Sequence, residues 1–137
     1  GHAVNAKIFA AHGSGASTTM AGPLAKLERL NAYVLSNVMF IGHHHRSHIQ
    51  MFDTLDVTDR GEAHLTHSTK AIVLTGSFMR GYLQGSKYGN RPQGTYVEKA
   101  LLPPVTLGAP RLTLIPSRKG DLVEVLLRGE TGALSYG

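Results

Sequence analysis

The sequence contains no cysteine and no tryptophan. Without thiols there are no disulfides and no thiolate metal sites, so any transition metal must be held by imidazole and oxygen ligands. Acidic residues are also few: 9 Asp and Glu stand against 14 Lys and Arg, a formal net charge of +5. No apolar run approaches the ~20 residues that span a bilayer, and the opening residues have no leader pattern. The expectation is a cytoplasmic protein with no membrane partner. A basic balance raises affinity for polyanions. Here, however, the lysines and arginines are scattered along the chain, and charge alone does not assign a nucleic-acid function.

What is present is a chain of 137 residues, 42% hydrophobic, with 16 glycines and 8 histidines. That length accommodates one domain with a real core. Residues 7–11 (KIFAA) form a short apolar run before His12-Gly13, as a buried strand ending in a loop would. Residues 12–22 are mostly Gly, Ser, Ala and Thr, a loop able to bring backbone N–H groups near a ligand. Pro23 suits the first turn of a helix through Tyr33, with Leu24, Leu27 and Leu30 at near-helical spacing and Lys26, Glu28 and Arg29 on the wetter side.

Residues 37–41 (NVMFI) read as a second buried strand, closed by Gly42 and the run His43-His44-His45-Arg46. Beyond it, residues 49–57, 70–75, 111–115 and 122–127 are strand candidates punctuated by glycine and proline. Residues 76–94 are long, polar and glycine-rich, which inside a compact domain marks a functional or poorly ordered connection. The predicted class is α+β, mostly β with one or two short helices. Residues 1–2 read as a vector-derived remnant and 129–137 as a flexible tail, leaving 3–128 as the folded unit.

The histidines carry the chemistry. In an open α/β sheet ligands bind at the carboxyl ends of strands. Two neighbouring strand ends would therefore bring His12, His43 and His45 together. If the backbone stays extended through residues 42–45, His43 and His45 face one way and His44 the other, as an outer residue or toward solvent. Imidazole suits Mn, Zn, Fe or Ni, and three nitrogens could by themselves hold one zinc with a position open to water. No carboxylate stands beside these histidines to serve as a base, so no catalytic residue is assigned.

A strand, His12-Gly13 with a Gly/Ser-rich loop, a helix, a second strand and then Gly42-His43-His44-His45 resembles the last two motifs of the calcineurin-like metallophosphoesterases, a terminal His-Gly and a Gly-His-x-His. Thr75-Gly76-Ser77-Phe78, Tyr82, the stretch from Thr95 through Lys99 to Ala100, and the stretch from Pro104 to Gly108 are similar to the tail of the phage and prophage type. The likeness runs over about residues 7–127.

The resemblance implies part of a four-layer αββα sandwich. It implies that His12 and His43 bind one metal of a two-metal centre and His45 the other, with phosphate contacts from Gly13, Ser14 and Arg46. It also implies a phosphomonoester or phosphodiester substrate, nucleic acid among them. The Asp-x-His, Gly-Asp-x-x-x-Asp and Gly-Asn-His-Asp/Glu motifs of that family do not occur here; Asp53, Asp56 and Asp59 match none of them. The chain therefore reads as the carboxyl-terminal half, supplying three histidines. A two-metal site would need ligands from outside the chain, and hydrolysis by the chain alone is not expected. The other half, or a second copy in a homodimer, would cover the sheet. Two alternatives stand beside this reading: a catalytically silent nucleic-acid-binding or assembly module, and a zinc hydrolase using the three histidines alone.

Overall fold

The computed structural model of the chain describes residues 3–15, 19–58, 63–79, 81, 82, 85, 87, 88, 90–92, 94–119 and 122–131. It is a mixed α+β structure, mostly strands with two short helices. The order is β1 (Ile8–Ala11), α1 (Ala21–Tyr33), β2 (Val38–Ile41), β3 (Ser47–Thr58), β4 (His64–Thr75), β5 (Lys87–Tyr88), β6 (Arg91–Pro92), α2 (Tyr96–Lys99), β7 (Pro110–Lys119) and β8 (Leu122–Thr131).

A four-stranded sheet ordered β1-β2-β4-β3 organises the molecule. β1, β2 and β4 run parallel, so their carboxyl ends meet at one edge, and β3 returns antiparallel to β4. The apolar run in β2 is buried on both faces, as a central parallel strand should be. Met39 and Ile41 point to one side, where they pack with Ile72, Leu74 and Leu27 of α1. Val38 points to the other, with Ala71 and Val73, against Leu112 and Leu127 of the β7–β8 ribbon. Strand alternation thus splits one apolar stretch between two cores, with α1 on one face and the ribbon on the other. Each fully buried aliphatic side chain contributes about 1.5–3 kcal/mol, and Val38, Met39, Ile72, Val73 and Leu74 are all sealed from solvent.

α1 forms as its leucine spacing predicts. Leu27 is buried, Leu24 and Leu30 are partly so, and Lys26, Glu28 and Arg29 are exposed. Pro23 lies in its first turn, where a missing N–H breaks no intrahelical bond. The helix links two parallel neighbours, and this connection sets His12 and the residues after β2 side by side.

Several strands run beyond the bounds read from the sequence, β7 among them. β3 and β4 are longer than 49–57 and 70–75, pairing from Ser47↔Thr75 out to Thr58↔His64. The outer part of this arm leaves Leu55, Val57 and Leu65 exposed. β8 also continues through Gly129–Thr131, residues assigned above to a flexible tail, in register with Leu112, Arg111 and Pro110. Gly129 is there for packing. A Cβ at that position would lie 2.8 Å from Cγ2 of Ile49 and 3.2 Å from Cε of Met51, so the missing side chain lets the ribbon close on β3. Residues 1–2 and 132–137 lie outside the described residues.

Candidate metal centre

Three parallel strands end at the same edge, and each is followed by a glycine next to a polar residue: His12-Gly13 after β1, Gly42-His43 after β2, and Gly76-Ser77 after β4. The glycines allow these ends to close up. Gly13 has φ of 81°, and a Cβ there would sit 3.0 Å from Cγ2 of Ile41 and 3.2 Å from the Gly42 carbonyl oxygen. A Cβ on Gly42 would crowd the His12 carbonyl oxygen at 3.2 Å. The Gly42 amide donates to the Ala11 carbonyl at 3.1 Å, carrying the parallel pairing one residue past the strands.

The result is direct contact between two histidines. Nε2 of His12 and Nδ1 of His43 are 3.3 Å apart, with ring centroids at 5.1 Å and planes at 77°. Two nitrogens bound at ~2.0–2.1 Å to one tetrahedral ion stand about 3.3 Å apart. The observed spacing suits either a shared proton or a shared cation.

His45 is held differently. Its Nδ1 lies 3.1 Å from Oγ of Ser77, a buried hydroxyl that also accepts the Met79 amide at 3.0 Å. The rings of His43 and His45 have centroids 6.5 Å apart. Among the described residues, no group of three or more His, Asp or Glu is placed to hold one ion. The pair brought together is therefore His12 with His43; the extended-chain argument pairs His43 with His45 instead. The cause is the backbone. His43 and His45 have φ of 69° and 53°, so the backbone bends out of the extended conformation within residues 42–45, and alternation does not apply. The ring of His44 stands edge-on to His43 at 5.9 Å, and it is partly buried. Its pKa is lowered from 6.5, first by desolvation and then by the positive charges of His43, Lys26 and His45.

Lys26, placed by the sequence on the wet side of α1, reaches back to this edge. Its Nζ donates to the Ser14 carbonyl at 3.2 Å. Of the three residues expected to contact phosphate, Arg46 borders the pocket described next, Gly13 packs between the strand ends, and Ser14 turns its carbonyl to Lys26. Residues 16–18 of the glycine-rich loop lie outside the described residues.

Beside His43, His44 and His45 opens a pocket of 580 Å³, lined also by described residues between Ser77 and Leu107. Residues in the wall lock to one another. The Tyr82 hydroxyl donates to the Leu102 carbonyl, and the Leu102 amide to the Val97 carbonyl at 3.0 Å. Thr95 and Glu98 form a reciprocal capping box at the start of α2. Gly81 backs onto Val97, where a Cβ would lie 2.6 Å from Cγ1. The segment is fastened to the sheet where Ser77 bridges Gly108. Ser77, Tyr82, Tyr96 and Val97 thus share one cavity. For Ser77 the available signal is its place after the third parallel strand. For the wall it is the aperiodic stretch 76–94, whose described residues include Ser77, Met79, Gly81 and Tyr82 of the lining.

No helix among the described residues is long and apolar enough to cross a membrane. No family model, no curated protein and no solved structure matches the chain.

Proposed function

We propose that this chain contributes the histidine side of a metal-dependent phosphoesterase centre of the calcineurin-like type. The observation that carries the reading is the contact of His12 and His43 across two parallel strand ends, with nitrogens 3.3 Å apart. That spacing fits two ligands of one divalent transition metal, with Mn, Zn, Fe and Ni all compatible with imidazole donors. A cation bound there would act as a Lewis acid on a phosphoryl oxygen.

The chain's own residues account for the rest of what it supplies. His12 and His43 offer one nitrogen each, and Gly13 and Gly42 let their rings meet. Ser77 holds the ring of His45, which in this reading serves a second metal whose remaining ligands come from outside the chain. Such an oriented imidazole is typical of metal sites, where an outer hydrogen bond fixes which nitrogen faces the ion. Arg46 and Lys26 place positive charge where phosphate oxygens would lie. The two-faced sheet with α1 on one side and a ribbon on the other is compatible with the inner part of an αββα sandwich. The exposed apolar residues of the β3–β4 arm, Leu55, Val57 and Leu65, favour a covering partner, either the other half of such a domain or a second copy.

Calorimetric titration of Mn²⁺ or Zn²⁺ into the wild type, His12→Ala and His43→Ala tests the reading. Tight binding by the wild type, lost in both variants, is the expected result. Unchanged binding in the variants would remove the metal centre. Hydrolysis of bis(p-nitrophenyl) phosphate with Mn²⁺ is expected to stay near background, because no carboxylate bridges the histidines. Steeply salt-dependent DNA binding that survives both substitutions would instead favour a nucleic-acid-binding module.

A further inference from the structure

We propose that the pocket beside the histidines is a subsite for a planar aromatic ring carried by a phosphoester, with Tyr96 and Tyr82 as its ring-contacting residues. The proposal rests on the phosphoesterase reading for the phosphate, and on the pocket itself for the ring.

The lining combines two chemistries. His43, His45 and Arg46 suit an anion; Tyr82, Tyr96, Val97, Leu102 and Pro104 suit an apolar group. Among the described residues, no Asp or Glu lines the pocket. The volume of 580 Å³ lies within the range that encloses a small organic ligand.

The aromatic side chains are presented and not consumed by packing. Tyr96 is 68% exposed, although it is anchored at the first residue of α2 by the Thr95–Glu98 capping box. Tyr82 is 49% exposed; its hydroxyl is occupied by the Leu102 carbonyl, which fixes the ring and leaves a face for contact. Tyr82 also has φ of 56°, so His43, His45 and Tyr82 are three lining residues in the left-handed region. Such backbone persists where surrounding structure over-determines it, and it clusters at ligand sites. An exposed ring held this firmly stacks on a flat partner with little entropy loss. The shared ligand chemistry is an aromatic phosphoester, whether an aryl phosphate or a nucleotide.

Calorimetry on the full chain, with and without Mn²⁺, would compare phenyl phosphate, adenosine monophosphate and inorganic phosphate. We expect both aromatic ligands to bind on the order of tenfold more tightly than inorganic phosphate. Tyr96→Ala should abolish that preference, Tyr96→Phe should retain it, and affinity for inorganic phosphate should be the same in all three proteins. Equal affinity of the two aromatic ligands assigns the subsite to aryl rings in general; tighter adenosine monophosphate assigns it to nucleotides. Lack of preference for a ring, a preference intact in Tyr96→Ala, or no binding by any of the three ligands would overturn the proposal. The metal reading fails separately: a ring preference indifferent to Mn²⁺ and to His12→Ala keeps the subsite and removes the metal.

Discussion

Ser77 takes His45 by its Nδ1, at 3.1 Å, from the end of the strand that pairs directly with β2. Because Ser77 already accepts the Met79 amide, one remaining lone pair can accept from an imidazole N–H. With the hydroxyl accepting from the ring, the proton sits on Nδ1 of His45 and Nε2 is bare. We expect nitrogen-detected NMR of the metal-free protein to show His45 enriched in the Nδ1–H tautomer, and Ser77→Ala to shift it toward Nε2–H. An unchanged tautomer in Ser77→Ala would mean that the hydroxyl does not set it.

Gly76 and Gly85 provide a matched pair. Both have φ of 77°, but a Cβ on Gly76 would lie 2.3 Å from the Gly108 carbonyl oxygen, whereas one on Gly85 meets nothing within 4 Å. Gly85→Ala carries only the conformational cost of about 1 kcal/mol. Gly76→Ala adds a backbone collision, and we expect it to lose at least about 2 kcal/mol more by urea denaturation. Equal losses would show that the Gly76–Gly108 approach relaxes without penalty.

The two ends of β4 should respond differently to truncation. Ile72 is 2% exposed at the centre of the helix-side core and Leu65 is 63% exposed on the arm. Ile72→Ala should destabilise by about 2–5 kcal/mol. Leu65→Ala should stay within about 0.5 kcal/mol. A large loss at Leu65 would reveal that the arm is covered in solution, and should then depend on protein concentration.

His44 gives the protein a defined acid response when no metal is added. Its folded pKa lies below 6.5, so between the two values the unfolded chain binds the proton more readily. Stability is therefore undiminished above 6.5, falls as the pH drops through the window beneath it, and levels off below the folded pKa. Lys26→Met removes one of the positive charges that disfavour the imidazolium. An NMR titration of His44 in that variant should show its pKa moved back toward 6.5; a fixed value would mean that Lys26 does not contribute to the shift.

The parts of the site visible in sequence were those decided by neighbours along the chain. A continuous apolar run such as residues 38–41 can lie only between covered faces, and the glycine after it marks the strand's end. Two such runs joined by a helix-spaced stretch bring His12 and His43 together without further information. The bend within residues 42–45 was not visible, because its left-handed residues are histidines and nothing local distinguishes that bend from continued strand. The outer halves of β3 and β4 also lacked a signal: His64, Ser68 and Thr69 pair because the opposite strand is there, not because their composition demands it. The pocket wall is the strongest case. Its members are joined by contacts such as Tyr82 to Leu102 and Gly81 to Val97, distant in sequence and chosen by shape.

Where Ser77 meets Gly108, the chain leaves the sheet and returns to it at the same point. Ser77 has two attachments there: its carbonyl accepts the Gly108 amide at 2.9 Å, and its hydroxyl meets Nδ1 of His45. One residue thus ties both the return of the chain and the seating of an imidazole, so a substitution that displaces the Ser77 backbone disturbs both.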